Sequence, residues 1–216
     1  MAKVNIFNGT ISGKLGQMVL VNGKTGVYVR SLPKTNDKKS EAQLRQRNKM
    51  QQANAFLKPL KEFLSIGFVE RRPNQNPYQA ATSALMRGAF VDNELDYSRA
   101  RISEGSVCPP AKNSVSISDH VAIFRWDDNS ADIDAKETDH AVILLYSPET
   151  GTVLWEIKKE TRKDKYCLHL IGTQYIGIFH VYMAFVNRRH DRISNSNYLG
   201  IIELQKTITE EDFETS

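Results

Sequence analysis

Gly23-Lys24-Thr25 are the last three residues of the pattern with which a phosphate-binding loop holds a nucleotide. That pattern also needs a glycine at the position of Met18 and a helix directly afterwards, where Val27 to Val29 indicate a strand. Asn22-Gly23 between two β-branched runs is instead typical of a tight hairpin turn, because both residues tolerate a positive φ. Residues 16–30 therefore predict a β-hairpin and no nucleotide site.

Two cysteines and five histidines could supply a nucleophile or metal ligands. Cys108 and Cys167 are far apart in the chain, and neither belongs to a Cys-x-x-Cys pair. Cys167 and His169 would share one strand face, but two residues complete neither a zinc site nor a catalytic group. No serine or carboxylate stands at a motif spacing from any of the histidines, which are His120, His140, His169, His180 and His190. We expect reduced structural thiols, no metal, no cofactor and no enzymatic activity.

The acidic run at residues 127–139 has the composition of a calcium-binding loop. An EF-hand loop counted from Asp128 needs glycine at its sixth position and glutamate at its twelfth, where this chain has Ile133 and Asp139. The run fails that template, although loops between sandwich strands can hold calcium in other geometries. Two interpretations stay open, a solvated acidic loop and a calcium site.

Basic residues are concentrated at the start of the chain. Residues 1–61 carry 12 lysines and arginines against 2 acidic residues, and the net charge is +9 over residues 1–111 and −5 over residues 112–216. Such a field favours a polyanion or an acidic protein face, including the C-terminal half of a second copy. The candidate binding residues, for a partner or a polyanion, are Lys14, Lys24, Arg30, Lys34, Lys38, Lys39, Arg45, Arg47 and Lys49.

Helix signals follow this basic segment. Ser40 and Gln43 have the spacing of a capping box, and apolar residues then recur at helical spacing. Pro59 predicts a break within that helical run, and Asn76-Pro77 predicts the start of a further helix. The stiff Cys108-Pro109-Pro110 segment suggests a division into two domains, residues 1–111 and 112–216.

Residues 112–216 consist of short apolar runs separated by turn signals, which predicts an antiparallel β-sandwich. The order of features resembles a fibronectin type III domain: a strand ending in Trp126 and acidic residues, a strand ending in Tyr-Ser-Pro, and an aromatic strand ending in Val-Asn. Phe179 stands where that family has a corner tyrosine, and it cannot donate the hydrogen bond that fixes the corner. We expect an α+β fold: an N-terminal β-hairpin with helices, followed by an immunoglobulin/fibronectin III-like sandwich.

Several stretches together resemble an uncharacterised family of bacterial and phage proteins of about the length of this chain. They are SGKLG, YVRSLPK, SEAQLRQRNKMQQANAFLKPL, FRWDDNS and TDHAVILLYSP. The resemblance spans nearly the whole chain and implies that the two halves work as one unit. It assigns no catalytic or binding residue, because the family has no activity to carry over.

These observations favour a non-enzymatic structural or assembly protein that self-associates or docks on other structural proteins, as in a phage virion or similar particle. The alternative is a cytoplasmic nucleic-acid-binding or regulatory protein that uses the basic N-terminal region. The N-terminus lacks a secretory signal and the apolar runs are too short to span a bilayer, so we expect cytoplasmic synthesis without membrane contact. We expect no small-molecule substrate.

Overall fold

The computed structural model describes residues 3–5, 10–23, 26–33, 40–118 and 120–205. The chain forms two compact units, residues 1–44 and residues 45–216. Antiparallel sheets combine with helices, which confirms the predicted α+β class. Among the described residues, no helix is both long enough and apolar enough to cross a membrane.

The first unit contains a four-stranded antiparallel sheet whose strands lie in chain order. They are β1 (Lys3–Asn5), β2 (Thr10–Leu15), β3 (Met18–Gly23) and β4 (Gly26–Ser31). β3 and β4 form the predicted hairpin, with Gly23 opposite Gly26. Residues 24 and 25, which lie outside the described residues, therefore separate the two strands. Asn22 pairs with Val27, so the Asn-Gly signal identified the hairpin while both of its residues occupy paired positions at the end of β3.

The described chain next forms three helices and a short hairpin. They are α1 (Glu41–Leu57), α2 (Lys61–Gly67), α3 (Pro77–Gly88), β5 (Phe90–Val91) and β6 (Glu94–Leu95). Ser40 caps α1 as predicted: its Oγ accepts from the Gln43 backbone N–H at 3.3 Å, and the Gln43 side chain accepts from the Ser40 N–H at 3.2 Å. The predicted break at Pro59 falls between α1 and α2. Asn76 makes the equivalent capping box at α3.

Seven strands complete the second unit as two antiparallel sheets. They are β7 (Ala111–Ser118), β8 (Val121–Asp127), β9 (His140–Tyr146), β10 (Val153–Thr161), β11 (Tyr166–Leu170), β12 (Gly177–Val186) and β13 (Asn197–Leu204). One sheet has the order β10-β9-β12-β13 and the other β11-β8-β7. This arrangement of four and three strands confirms the predicted immunoglobulin/fibronectin III-like sandwich.

Alternating residues of the strands fill the space between the two sheets. In β9 these are Ala141, Ile143 and Leu145, and they pack with residues such as Phe124 of β8. Phe179, aligned with the corner tyrosine, is also buried in this core, where its ring needs no hydrogen-bond partner.

The helices cover the outer face of the four-stranded sheet. The remaining β9 residues, Val142, Leu144 and Tyr146, share a second core with side chains of α1 and α2 such as Phe56 and Phe63. The sheet is therefore buried on both faces, which explains its uninterrupted apolar runs. The predicted division at residue 111 lies inside the compact unit 45–216, because this second core joins the helices to the sandwich.

Candidate protein-binding surface

The N-terminal sheet presents one apolar face. Residues paired directly across antiparallel strands point to the same side of the sheet. Leu15 pairs with Met18, and Leu20 pairs with Val29, while Val27 shares the side of Val29 because side chains alternate along a strand. These five residues define the apolar face of the N-terminal sheet.

Most of the apolar face is open to solvent. The side chains of Leu15, Met18 and Val29 are exposed by 62%, 55% and 55%, and Val27 is also exposed. An antiparallel sheet normally covers its apolar face with a helix or a second sheet. The described residues 10–23 and 26–33 form a single layer. A contiguous exposed apolar face of this kind is typical of a protein-binding site.

The opposite face of the same sheet is mixed and basic. Lys14, Val19 and Arg30 form one row across three strands, and Val21 lies beside Tyr28 in the next row. The backbones that carry Lys14 and Arg30 are about 10 Å apart, since two strand spacings separate them. The structure thus brings two of the basic residues predicted from the sequence into one row, and the exposed Tyr28 lies two residues before Arg30 on the same side of β4.

The other described basic candidates lie on α1. Arg45 and Arg47 are exposed, whereas Lys49 is half-buried with its Nζ 5.6 Å from the centre of the Phe90 ring. That cation–π contact keeps the Lys49 ammonium group close to the Phe90 ring. The remaining four candidates lie outside the described residues: Lys24, Lys34, Lys38 and Lys39. The described candidates are therefore divided between the sheet and α1.

Two of the residues that could have done nucleophilic chemistry, Cys167 and His169, are held in unreactive surroundings. Cys167 points into the sandwich core, and burial raises the pKa of its thiol to about 12, so the thiol stays protonated at neutral pH. His169 lies on the same strand face, and its Nδ1 is 3.1 Å from Oε2 of Glu156. Burial lowers the pKa of His169, which keeps the imidazole neutral. Cys167 and His169 therefore occupy structural positions, and the protonated thiol of Cys167 supplies no thiolate at neutral pH.

The carboxylates of the acidic run at residues 127–139 have partners within the protein. Asp127 pairs with Lys112 at 3.1 Å, and Asp134 pairs with Arg192 at 3.0 Å. Asp139 is buried against an arginine. Among the described residues, no group of three or more histidine, cysteine or acidic side chains is arranged to hold a metal ion. Ion pairs therefore tie the acidic loop to the rest of the second unit.

Comparison with known proteins gives one result. A family model described as "Family of unknown function (DUF6266)" matches residues 10–200. The chain belongs to this family. The match confirms the resemblance to an uncharacterised family, and it begins inside β2 and ends inside β13. No curated protein matches the chain.

The family match covers parts of both compact units of the DUF6266 protein. The matched residues include most of the N-terminal sheet together with the helices and the sandwich. Both compact units are therefore parts of the family's common architecture.

The apolar face of the DUF6266 protein escaped sequence reasoning, which selected basic residues instead. Residues of the apolar face do alternate with residues of the opposite face in the sequence. Tyr28 lies between Val27 and Val29, and Val19 lies between Met18 and Leu20. Every one of these residues is apolar or aromatic, so the alternation was hidden. Only the strand pairing separates the two faces.

Proposed function

We propose that this DUF6266 protein is a non-enzymatic structural protein that self-associates through the apolar face of its N-terminal sheet. The observation that carries the proposal is the exposure of Leu15, Met18, Val27 and Val29 on one side of a single-layered sheet. Covering these side chains with the same face of a second copy would remove several apolar side chains from water at once.

The setting we propose is an assembled particle, such as a phage virion. A subunit of such a particle needs a contact surface that is presented to a neighbour rather than buried in its own fold. The N-terminal sheet has this character, and one side of each of its outermost strands has no strand partner among the described residues, so it could accept an added strand. Localisation in a particle after synthesis in the cytoplasm is part of the same proposal.

Replacing Val29 with lysine tests the proposal. A lysine in the middle of the apolar face would place a charge in the contact and abolish self-association, because an unpaired charge is costly to bury. The measurement is the molar mass of the purified full-length protein by light scattering on a sizing column. We expect an oligomer for the unsubstituted protein and a monomer for Val29→Lys.

Tyr28→Lys is the matched control. Tyr28 is the neighbouring residue, is exposed by 52% compared with 55% for Val29, and points to the opposite face. It receives the same added charge on the same strand, so it should leave the oligomer intact. Equal loss of mass in both variants, or a monomeric unsubstituted protein, would reject the apolar face as the contact.

Nucleic-acid binding is the second candidate function, and the row of Lys14 and Arg30 next to Tyr28 supports it. Cations can contact phosphates while an exposed aromatic ring stacks on a base. The double variant Lys14→Gln with Arg30→Gln should then weaken binding of a labelled single-stranded oligonucleotide, measured by fluorescence anisotropy in low salt. Arg47→Gln on α1 is the control for loss of charge. If no variant binds the oligonucleotide less well than the unsubstituted protein, this function has no support from the sheet.

A further inference from the structure

The outer face of the three-stranded sheet carries a second apolar surface. In β11, Tyr166, Leu168 and Leu170 alternate outward and are exposed by 56%, 51% and 76%. Ile123 of β8 pairs with Leu168 and lies beside it on the same face. β11 is also an edge strand of its sheet. The apolar side chains here are therefore next to backbone groups that have, among the described residues, no strand partner on one side.

A cavity of about 540 Å³ opens at one end of this surface. Ile123, Tyr166 and Leu168 provide its apolar walls. Its charged residues are mostly cationic, and they are Lys112, Arg125, Lys165 and Asp127. An apolar cavity with a cationic rim fits an apolar group that is flanked by negative charges.

The cations of the rim differ in how strongly they are held. Lys112 forms an ion pair with Asp127 at 3.1 Å, and Arg125 donates to the Ser116 hydroxyl at 3.1 Å. Lys165 forms no ion pair within the part of the chain that the structure describes. The rim thus retains cationic groups, Arg125 and Lys165, without a carboxylate partner among the described residues.

The chain itself contains a segment with the complementary chemistry. Residues 206–216, KTITEEDFETS, lie outside the described residues. They place one aromatic residue, Phe213, among four carboxylates. These carboxylates belong to Glu210, Glu211, Asp212 and Glu214. We propose that the cavity binds Phe213 of a second copy, with the flanking carboxylates of that segment against Arg125 and Lys165.

The position of the cavity favours a second copy over the same chain. The cavity lies where β7 begins, and the start of β13 is at the same end of the sandwich, since Asn197 donates to the Pro110 carbonyl at 2.8 Å. The acidic segment follows β13 at the opposite end, about 23 Å away along the strand. The cavity is also on the other sheet, roughly 10 Å further.

The same chain could bridge this distance only by using almost its full length. Phe213 is nine residues beyond Leu204, so it reaches at most ~30 Å when fully extended. The path to the cavity, on the order of 25 Å in a straight line across the sandwich, also has to pass around the edge of a sheet. A neighbouring copy has no such restriction. Binding from one end of a copy to the other end of the next is a head-to-tail contact, which generates rings or filaments.

This contact deepens the proposed self-association, but it uses different residues from the N-terminal sheet. It can therefore be tested without measuring oligomer mass. The probe is a fluorescently labelled synthetic peptide, KTITEEDFETS, and the receptor is the full-length protein carrying Phe213→Ala so that its own segment competes less. Binding is followed by fluorescence anisotropy.

Lys165→Glu in this receptor should weaken peptide binding at least ten-fold, because it replaces an attractive charge with a repulsive one. Lys163→Glu is the matched control: it makes the same change two residues away, at an exposed residue that does not line the cavity. We expect the control to bind the peptide as the receptor does. Equal binding by all three proteins, or no binding by any of them, would overturn the proposal. A single-stranded oligonucleotide that displaces the bound peptide and loses affinity in Lys165→Glu would overturn it in favour of nucleic acid.

A mixing experiment identifies the source of the segment. Full-length Lys165→Glu has an intact segment and a defective cavity, while full-length Phe213→Ala has the reverse. Both also carry Val29→Lys to remove the contact of the N-terminal sheet. Mixed in equal amounts, they should form a 1:1 pair that neither forms alone. Peptide binding without pair formation would overturn the assignment to a second copy, and it would leave the test of the N-terminal sheet unaffected.

Discussion

Replacing Asp139 with asparagine is expected to lower the free energy of unfolding by about 3–5 kcal/mol. Asp139 and Arg162 form an ion pair at 3.2 Å in which both side chains are almost completely buried. Taking either charge out of water is costly, and each compensates the other only while both are present. The substitution would leave the Arg162 guanidinium buried without a counter-charge.

The contacts around Arg162 make it difficult for its guanidinium to move into solvent when the Asp139 charge is removed. Its guanidinium lies 4.0 Å from the centre of the Phe185 ring, and one of its nitrogens donates to the Cys108 carbonyl at 2.8 Å. It also donates to the side chain of Asn129. These contacts orient the cation but carry no full negative charge. The guanidinium therefore stays inside the protein, and most of the electrostatic loss appears as lost stability.

Urea unfolding measures this effect, with the fluorescence of Trp126 as a nearby reporter. Trp126 Nε1 donates to the Arg162 carbonyl at 2.8 Å. Glu137→Gln is the control, because the Glu137–Lys163 pair has a similar separation of 3.3 Å but both side chains are exposed. Exposed pairs contribute little, so this variant should unfold close to the unsubstituted protein. Similar losses of unfolding free energy in both variants would mean that burial does not determine how much the Asp139–Arg162 pair stabilises the protein.

Local signals in the sequence were sufficient to locate the starts of α1 and α3. Ser40 with Gln43 and Asn76 with Gln79 both form capping boxes, because a cap depends on residues only three positions apart. Pro59 ended α1 for an equally local reason, the loss of a backbone donor. The Asn22-Gly23 signal correctly indicated the hairpin, but both residues are paired within β3, because strand register also depends on how the flanking residues pair.

Long-range packing could not be predicted in the same way. The run at residues 141–146 is apolar throughout, which is consistent with a strand buried on both faces. The run does not reveal which elements cover the second face. Arg162 stands in a highly charged stretch, KKETRKDK, where nothing distinguishes a buried arginine from exposed ones. Its role depends on Asp139 and Phe185, which are distant in sequence and meet only in the fold.

The candidate surface shows the same limit. Positive charge can be counted along the chain, so the sequence predicts Lys14 and Arg30 as binding residues, and the strand pairing places them in one row. The exposure of Val29 follows from the sheet being a single layer, which the residues of β4 alone cannot reveal. Charge is thus a property of composition, whereas an uncovered apolar face is a property of the complete fold.

A fragment of residues 112–216 should not fold into a domain with a cooperative unfolding transition, although the sequence suggests a domain boundary near residue 111. The outer face of its four-stranded sheet would lose the cover of the helices. Leu144 and Tyr182 are almost completely buried in the second core, together with Phe56 of α1 and Phe63 of α2. Exposing a sheet face of this size removes a large part of the hydrophobic stabilisation and leaves a surface that promotes aggregation.

The fragment 45–216 is the matched comparison, because it keeps both cores and coincides with one compact unit. Thermal unfolding followed by near-ultraviolet circular dichroism should show one sharp transition for this fragment and none for residues 112–216. A single transition is expected since the four-stranded sheet belongs to both cores, so neither core can be lost while the other keeps its packing. If residues 112–216 gave their own sharp transition, the helical layer would be an accessory to an independent sandwich. The domain division predicted from the Cys108-Pro109-Pro110 segment would then describe the folding unit correctly.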